Sequence, residues 1–495
     1  MTLSTLLLNR SKETPEKNCI KFRKSKLSYF QLDSLVTLTS GGLRRHGLNI
    51  KDRAAIIMEN CPEYIISYFA ILRAGGIAVP VNTFLVAEEM TYILKDSGCK
   101  IVIYGNNFKN HVEKIKKDIP EIKALMFEEI PQQKAEPYKG NDDEVAILLY
   151  TSGTTGFPKG AMLTHFNLIS NVEACLKVIL FSDKDRVLLF LPLFHSFTFT
   201  ICVLVPIYTG ASIVLLESVK PFSKVINSIF RDRITLFVAV PTIYNILIKK
   251  RLPFFFKYIF KSLISIRACV SGASALPEET LHAFEKRFKV PLLEGYGLTE
   301  ASPVVAVNPL GDIRKPSSVG PPLPGIEVAV IGKDGKRLAS GKTGELIVKG
   351  PNIMKGYFNR EKETAEALRD GWLYTGDMAK IDQDGYIYIV DRKKDLIIID
   401  GMNIYPREVE DTTIKLPSVE ECAMIGIPDG KGSEISILFV KKKDNAVLDE
   451  KEIRNYLKRH VAQFKIPKRI IFVEEFPKTA TGKIKKNELR KRNLI

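Results

Sequence analysis

The chain has 495 residues, of which 45% are hydrophobic and 26% are charged. This length exceeds what one hydrophobic core supports and predicts two or three domains, while the composition is that of a globular protein and excludes a disordered or fibrous chain. The formal net charge of +17 favours anionic partners such as nucleotides, phosphorylated cofactors or anionic membrane surfaces; we expect no nucleic-acid partner, because no nucleic-acid motif accompanies the basic residues.

Cysteine usage indicates a reducing compartment. Seven cysteines are scattered along the chain without a CxxC pair, which argues for buried thiols rather than disulfides or zinc ligands. The apolar patch Leu6–Leu8 is followed at once by Arg10 and Lys12, and it is too short for the core of a signal peptide. We therefore expect a cytoplasmic protein.

In chain order, the first part of the sequence alternates short apolar runs with helical patterns. Strands are predicted at Ala54–Met58, Ile77–Val81 and Lys100–Tyr104. Helices are predicted between them at Tyr64–Ala74 and Glu88–Lys95. Alternation of this kind indicates an α/β fold with parallel sheets.

The middle of the chain repeats the alternation around a long uncharged segment. Val187–Leu216 contains thirty residues without Asp, Glu, Lys or Arg, which is long enough to span a membrane. Pro192, His195, Pro206 and Gly210 interrupt it, so we predict a buried strand, a short helix and a second strand instead. Strands are predicted at Ile213–Leu216, Leu236–Val240 and Ile266–Val270.

Two changes in the sequence pattern divide the rest of the chain. From Gly320 to Val348, short apolar runs alternate with Gly and Asp turns, which predicts a β-rich subdomain. The charged run Asp391–Asp395, DRKKD, follows the strand-like Tyr386–Val390, and hydrophobic elements resume beyond it. A surface turn is the alternative, but we interpret the run as a hinge. The prediction is a large N-terminal α/β domain over residues 1–391, including the β-rich subdomain, and a small mobile α+β domain over residues 392–495.

The strongest chemical motif is Tyr150–Gly160, YTSGTTGFPKG. It combines short hydroxyl side chains, glycines and a lysine: Thr151, Ser152, Gly153, Thr154, Thr155, Gly156 and Lys159. Polyphosphate needs short donors, glycines that let the backbone approach closely, and a positive point charge. A flexible linker is the alternative, but the apolar Val145–Leu149 predicts a buried strand before the motif, and we expect an apolar helix after it. The motif therefore predicts a phosphate-binding loop.

The segment TSGTTGFPKG resembles the phosphate loop of the adenylate-forming superfamily, which contains acyl-CoA synthetases, luciferases and the adenylation domains of peptide synthetases. The resemblance extends from about Leu27 to Arg490, with motifs in the family's order. It implies that ATP and a carboxylic acid form an acyl-adenylate, with Mg²⁺ as cofactor, and that coenzyme A then takes the acyl group. By resemblance, Lys159 acts on the phosphates and Thr155 is a candidate magnesium ligand.

Two further segments resemble nucleotide-binding motifs of the family. Glu294–Glu300, EGYGLTE, offers an aromatic ring, a hydroxyl and a hard oxygen ligand. The residues expected at the ATP site are Glu294, Gly295, Tyr296, Gly297, Thr299 and Glu300. The resemblance implies that Tyr296 packs on adenine, that Thr299 contacts the α-phosphate and that Glu300 holds magnesium. Ser271–Pro277, SGASALP, is similar to the other adenine wall, with Gly272 and Ala273 near the acyl group.

A third segment, Trp372–Asp377 (WLYTGD), is similar to the family's ribose-binding motif. The resemblance makes Asp377 the ligand of the ribose hydroxyls, with Arg392 assisting it. Lys394 matches the position about which the C-terminal domain turns between the two half-reactions. The loop expected to line the pantetheine tunnel comprises Gly401, Met402 and Asn403.

The C-terminal segment FPKTATGKI ends in the motif that carries Lys483. Taken alone, a lysine in a basic tail is a solvated charge. The resemblance makes Lys483 the catalytic lysine of adenylation, whose ammonium bridges the substrate carboxylate and the α-phosphate. A preorganised charge of this kind lowers a barrier by roughly 3 kcal/mol or more.

The acyl pocket is expected around His195, in the segment LFHSF. Relatives that activate amino acids generally carry an aspartate at this position, so His195 leaves an α-ammonium without a counter-ion and disfavours amino-acid substrates. The other residues expected in this pocket are Phe197, Val240, Gly272 and Gly297.

Two stretches are similar to fatty acyl-CoA synthetases, Asp370–Asp395 and Tyr296–Pro309, and they make a fatty acid the predicted substrate. An aromatic acid such as a coumarate is one alternative. Transfer to a carrier protein rather than to free coenzyme A is a second, and a non-catalytic binding protein is a third. The basic charge and the predicted lipid substrate favour peripheral contact with a membrane, and a homodimer is a further candidate state.

Overall fold

The computed structural model describes residues 1–151, 158–250, 265–399, 402–428, 434–479 and 482–491. The strands in these ranges are β1 Asn18–Phe22, β2 Ser25–Ser28, β3 Arg53–Ile57, β4 Ile77–Pro80, β5 Cys99–Tyr104, β6 Lys123–Met126, β7 Val145–Thr151, β8 Lys159–Thr164, β9 Arg186–Leu189, β10 Ser212–Leu215, β11 Leu236–Ala239, β12 Ala268–Ser271, β13 Leu292–Gly297, β14 Val304–Val307, β15 Glu327–Ile331, β16 Gly344–Lys349, β17 Gly356–Tyr357, β18 Leu368–Arg369, β19 Trp372–Ile381, β20 Ile387–Arg392, β21 Ile397–Ile399, β22 Met402–Ile404, β23 Val419–Pro428, β24 Glu434–Lys442 and β25 Arg469–Phe472.

The α-helices in the same ranges are α1 Leu3–Glu13, α2 Tyr29–Arg45, α3 Pro62–Arg73, α4 Ala87–Ser97, α5 Lys109–Asp118, α6 His165–Ile179, α7 Ser196–Phe199, α8 Val205–Thr209, α9 Phe222–Arg231, α10 Pro241–Lys249, α11 Glu278–Phe288, α12 Glu361–Ala367, α13 Pro406–Thr413, α14 Glu450–His460 and α15 Lys486–Arg490. A π-helical turn, Thr200–Leu204, joins α7 to α8.

The chain separates into two compact units. Unit 1 comprises Met1–Glu327 and Val348–Leu373, and unit 2 comprises Val328–Ile347 and Tyr374–Ile495. Unit 2 therefore includes part of the β-rich segment that we assigned to the N-terminal domain. The domain boundary predicted at residue 391 separates two parts that we expect to move relative to each other, and it stays a prediction.

Unit 1 contains two large sheets of the predicted parallel α/β type. One has the order β17-β8-β7-β4-β3-β5-β6, with parallel pairing from β7 to β6. The other has the order β14-β13-β12-β11-β9-β10-β1-β2, with parallel pairing from β13 to β1. Ala54–Ile57 of β3 is fully buried, as expected where helices cover both faces of a parallel sheet. Ligands of such sheets bind beyond the carboxyl ends of the strands.

The uncharged segment Val187–Leu216 forms the elements that its interruptions predict. It supplies β9, the helical stretch from Ser196 to Thr209 and β10, and most of its apolar side chains are buried in the core. Among the residues that the structure describes, no helix combines the length and the apolar character needed to cross a membrane.

Unit 2 is an α+β unit built around short sheets. Strands β23, β24 and β25 form one sheet, in which β24 is antiparallel to β23 and parallel to β25. Its apolar faces are covered by α13, α14 and α15, whose buried residues include Val409, Ile453 and Leu489. Strands β19 and β20 form an antiparallel pair, which carries two of the predicted site residues.

Candidate active site

Glu300 lies at the centre of a hydrogen-bonded group in unit 1. Its Oε1 accepts a hydrogen bond of 2.8 Å from the Tyr357 hydroxyl and a longer one of 3.5 Å from the Thr151 hydroxyl. Burial and the charge of Glu300 raise the pKa of Tyr357, so the phenol stays protonated and remains a donor. Thr299, which precedes Glu300, begins the 3₁₀ turn Thr299–Ala301. The predicted magnesium ligand and one end of the predicted phosphate loop are therefore neighbours.

Lys159 approaches the same group from strand β8. Its ammonium lies 5.6 Å from the centroid of the Tyr357 ring and 4.0 Å from Glu363 Oε1. The first distance is within the range of a cation–π interaction, and the second is the outer limit of an ion pair. A positive charge thus stands beside the Glu300 group, where it can meet phosphate oxygens.

The predicted phosphate loop connects two strands rather than a strand and a helix. β7 and β8 are antiparallel neighbours, and Thr151 is paired with Lys159 across them. We expected an apolar helix directly after the loop, and this was wrong, because helix α6 begins only at His165. The apolar run after Gly160 is too short for periodicity to distinguish a strand from a helix. Strand pairing is what brings Thr151 and Lys159 side by side.

Five predicted phosphate-binding residues lie outside the described residues: Ser152, Gly153, Thr154, Thr155 and Gly156. Their contacts with ATP, and the magnesium ligation suggested for Thr155, stay predictions.

Tyr357 and Glu363 are site residues that sequence reasoning missed. Tyr357 belongs to the two-residue strand β17, which pairs with β8 so that Tyr357 stands opposite Ala161. The backbone continues this contact, since Phe358 N donates to Gly160 O at 2.8 Å. Tyr357 is 57 positions from Glu300, and no local pattern links them. Knowledge of the β8–β17 pairing was needed to find it.

Glu294 connects the two segments predicted to enclose adenine. These segments follow or form adjacent parallel strands, because Ser271 of β12 pairs with Glu294 of β13. The buried Glu294 accepts a hydrogen bond from Leu276 N at 2.9 Å through Oε1. This carboxylate therefore holds SGASALP against EGYGLTE, and its contact with ATP stays a prediction.

Close packing against the backbone requires glycine at position 297, and close packing against a side chain favours it at position 272. A Cβ on Gly297 would lie 2.2 Å from Pro303 O, and one on Gly272 would lie 2.7 Å from the ring of Phe197. Gly272 and Phe197, both predicted in the acyl pocket, are thus in contact. Ala273 adopts a φ of 66°, which is a left-handed conformation that costs an L-residue energy. Gly295 and Tyr296 lie in the part of β13 that pairs with β14.

Two cavities lie in unit 1, and none of the residues predicted in the acyl pocket is among the described residues that line them. The smaller cavity is lined by Phe194 and Ser196, the chain neighbours of His195, whose ring centroid is 4.4 Å from that of Phe194. The larger cavity lies along β11 and β12. Its lining is apolar except for Lys250 and comprises Ile226, Ile229, Phe230, Phe237, Leu247, Lys250, Ile266, Cys269, Phe284, Phe288 and Val290.

In unit 2, the structure joins the two residues predicted to bind ribose. Asp377 of β19 pairs with Arg392 of β20 in the antiparallel ladder. Their side chains form an ion pair, with Arg392 Nε 2.9 Å from Asp377 Oδ1. Asp377 is almost completely buried, whereas about half of the Arg392 side chain is exposed. The pair presents a carboxylate in fixed orientation, as recognition of vicinal hydroxyls requires.

Lys483 belongs to the same group of charges. Nearby protein atoms displace water from its ammonium and the positive Arg392 adds repulsion, and together they lower the pKa of Lys483 from 10.5 to about 8, against an opposing effect of Asp377. The residue as a whole keeps contact with solvent. The lysine therefore remains mostly protonated at neutral pH, and its role in adenylation stays a prediction.

The predicted hinge residue also lies among charged side chains. Burial and Arg392 lower the pKa of Lys394, and Asp395 acts in the opposite direction. Of the predicted pantetheine loop, Gly401 lies outside the described residues. Met402 and Asn403 belong to β22, which pairs with β21 so that Asn403 stands opposite Ile398. The roles of these four residues in coenzyme A transfer stay predictions.

The donor set of unit 1 fits a magnesium ion that is shared with a substrate. Within the described ranges, no group of three or more His, Cys, Asp or Glu side chains could hold a metal. Magnesium, however, is commonly bound by one or two carboxylates together with substrate phosphates. Glu300, with the Thr151 hydroxyl beside it, meets that requirement.

Comparison with known proteins identifies the class of site. Residues 7–358 match the family model described as "AMP-binding enzyme", and residues 408–483 match its C-terminal domain. A long-chain-fatty-acid–CoA ligase of Bacillus subtilis is 35% identical, covering 99% of this chain and 94% of that protein. A feruloyl-CoA synthase of an Amycolatopsis species is 34% identical, covering 98% of each. ATP-bound MatB from Rhodopseudomonas palustris has a TM-score of 0.91 at 31% identity, covering 99% of this chain and 98% of that one.

Proposed function

Because the chain belongs to the AMP-binding enzyme family and is an AMP-forming acid–thiol ligase, we propose that its acid is a fatty acid and that its thiol is coenzyme A. The nucleotide substrate of this reaction class is ATP.

The observation that carries the proposal is the larger cavity. Phe237 and Cys269, which line it, stand opposite each other on β11 and β12. Val240 and Gly272, which we predict beside the acyl group, directly follow these two strands and lie three residues beyond Phe237 and Cys269, or roughly 10 Å at the rise of an extended chain. An alkyl chain whose carboxylate lies at the strand ends therefore has an apolar space within its reach. Each methylene that leaves water there contributes about 0.8 kcal/mol.

In the first half-reaction, a carboxylate oxygen of the acid attacks the α-phosphorus of ATP, and the bond to the β-phosphate oxygen breaks to release pyrophosphate. Lys483 and Lys159 supply positive charge where negative charge moves, and Asp377 fixes the ribose. Preorganised charges and positioning are the main sources of acceleration in such a displacement. Glu300 would hold Mg²⁺, which neutralises phosphate charge when it is bound.

In the second half-reaction, the C-terminal part turns about Lys394, and the coenzyme A thiol reaches the acyl-adenylate. The thiol proton passes to water, the sulfur attacks the acyl carbon, and the bond from that carbon to the phosphate oxygen breaks to release AMP. The loop with Gly401, Met402 and Asn403 lines the path of the pantetheine arm. Glycine at that loop permits the close approach of a thin ligand.

An aromatic acid is the second candidate. The feruloyl-CoA synthase is almost as similar to this chain as the fatty-acid ligase is, and the cavity beside His195 is small and partly walled by the ring of Phe194. A carrier protein as acceptor is a further alternative that shares the first half-reaction.

The test is AMP release with a panel of acids, from acetate to palmitate together with ferulate and benzoate, each with and without coenzyme A. We expect turnover that depends on coenzyme A and is fastest with a medium or long alkyl chain. A maximum rate with ferulate would agree with the reaction class but would contradict a fatty acid as the substrate. Turnover that requires added acyl carrier protein would overturn coenzyme A as the acceptor.

A further inference from the structure

We propose that Asp391 is a positioning residue for adenylation, which holds the part of unit 2 that carries Lys483 and releases it when the chain turns at Lys394. This inference rests on the function proposed above and deepens it. It concerns contacts within unit 2 alone.

The carboxylate of Asp391 bridges two stretches of chain on either side of Lys394. Oδ1 accepts a hydrogen bond from Arg392 N at 2.7 Å, and Oδ2 accepts one from Arg407 N at 2.9 Å. Arg407 lies in the first turn of α13, where backbone N–H groups have no acceptor within the helix. A buried carboxylate satisfies such a donor and complements the helix dipole. Asp391 therefore caps α13, although the hinge separates the two in sequence.

A second contact reinforces the cap. The guanidinium of Arg407 donates through Nη1 to Ile389 O at 3.0 Å. Ile389 belongs to β20, so the first turn of α13 is attached to that strand by its backbone and by its side chain. Two bonds across the predicted hinge oppose rotation more effectively than either bond would alone.

Helix α13 in turn holds the segment around Lys483. Glu410 of α13 pairs with the ammonium of Lys486 at 2.7 Å, and Asp391 is near enough for its charge to act on the same ammonium. Lys486 begins α15 directly after the Lys483 segment. That segment is itself hydrogen-bonded, because Thr479 N donates to Lys483 O at 2.7 Å. Asp391 is thus linked to the segment that carries Lys483 through helix α13 and the Glu410–Lys486 ion pair.

The position of the hinge makes these contacts specific to one arrangement. Asp391 precedes Lys394 in the chain, whereas Arg407, Glu410 and Lys486 follow it. A turn at Lys394 must break the hydrogen bond from Arg407 N to Asp391 and move Lys486 away from the charge of Asp391. The Glu421–Lys478 ion pair of 2.6 Å has both partners after Lys394 and survives such a turn. Asp391 therefore favours the arrangement in which Lys483 lies near Asp377 and Arg392, the one that adenylation uses.

The test compares Asp391→Ala and Asp391→Asn with the control Glu421→Gln. Adenylation is followed as pyrophosphate release from ATP and palmitate without coenzyme A, and thioester formation as AMP release from supplied palmitoyl-adenylate and coenzyme A. Because a hydrogen bond to a charged group is lost, we expect Asp391→Ala to slow adenylation about tenfold or more. Thioester formation should be unchanged or faster, and Asp391→Asn, which keeps one acceptor oxygen, should have an intermediate effect. Equal loss in both half-reactions, or no loss, would overturn the proposal.

A second readout does not depend on the substrate or on activity. Trypsin cleaves after Arg392, Lys393 and Lys394. Its access to these residues increases if the hydrogen bonds of the Asp391 carboxylate are lost. We expect faster cleavage there in both Asp391 variants, with Glu421→Gln at the wild-type rate. If no acid supports turnover by the wild type, the proposed function fails. The cleavage comparison still tests whether Asp391 holds α13 against β20. Wild-type cleavage rates in folded Asp391→Asn would overturn it.

Discussion

The hydroxyl of Tyr357 lies 2.8 Å from Oε1 of Glu300, although the two residues are 57 positions apart. The contact fixes one oxygen of the carboxylate that we propose as a magnesium ligand. The same ring faces the ammonium of Lys159. Tyr357 thereby places a hydroxyl donor and an aromatic face between the two groups expected to meet the phosphates of ATP.

Removing this hydroxyl should weaken the response to magnesium. In Tyr357→Phe, Glu300 loses a charge-assisted hydrogen bond, and we expect the Mg²⁺ concentration for half-maximal adenylation to rise about tenfold. Titrating Mg²⁺ in a pyrophosphate-release assay measures the effect. The matched control is Tyr138→Phe, which removes a hydroxyl that donates to Glu144 at 3.1 Å. Equal Mg²⁺ titrations for Tyr357→Phe and wild type would contradict the role.

Loss of the Lys483 ammonium should slow adenylation without slowing thioester formation to the same extent. We expect Lys483→Ala to slow adenylation about 100-fold or more, since no charge then bridges the carboxylate and the α-phosphate. Thioester formation from supplied acyl-adenylate should be largely retained. The control is Lys485→Ala, which alters a neighbouring lysine that pairs with Glu488 at the surface. If both halves decline together in Lys483→Ala, the lysine has a structural role instead.

The lowered pKa of Lys483 predicts a pH dependence. The charged form is lost as the pH rises through about 8, so the rate of adenylation should fall above that pH rather than near 10.5, the ordinary value for lysine. ATP and the acid are already ionised there and do not add a titration. In Lys483→Arg, whose guanidinium stays charged, the residual rate should lack this decline. The measurement is a pH profile of pyrophosphate release for both proteins, and a shared decline would assign it to another group.

Restricting the backbone at Lys394 should impair thioester formation rather than adenylation. Proline fixes φ, so in Lys394→Pro we expect adenylation near the wild-type rate and a large loss of thioester formation, because the turn between the two arrangements is blocked. Lys394→Ala removes the side chain but leaves the backbone free, and it should retain both halves. Separate assays of the two half-reactions provide the measurement. Normal transfer to coenzyme A by Lys394→Pro would place the hinge elsewhere.

Filling the larger cavity should shorten the preferred acid. Val290 is half-buried and lines this cavity, so Val290→Phe occupies space that an alkyl chain would use. Each methylene excluded from the cavity costs about 0.8 kcal/mol, or about fourfold in affinity. We expect the ratio of kcat/KM for palmitate over octanoate to fall, while Val290→Ala leaves it unchanged or raises it. An unaltered ratio in Val290→Phe would mean that the chain binds elsewhere.

Local patterns were sufficient for much of the fold. The alternation of strands and helices in the first part of the chain, the strand–helix–strand reading of Val187–Leu216 and the β-rich segment after Gly320 were all confirmed. These signals are periodicity, proline and glycine, which act within a few residues. The expected helix after the phosphate loop failed because a short apolar run suits both a strand and a helix, and pairing with β7 decided between them.

By itself, the sequence determined the family and the order of its motifs, and it supplied the residues that we propose carry charge toward ATP, because these depend on residue type and local spacing. Only the tertiary structure decided which of these residues contact one another and which further residues contact them. It placed Arg392 beside Asp377 through strand pairing, Tyr357 on Glu300 through the short strand β17, and Asp391 on the first turn of α13. Such contacts join residues far apart in the chain, and the packing of whole sheets and helices selects them, so no local pattern encodes them.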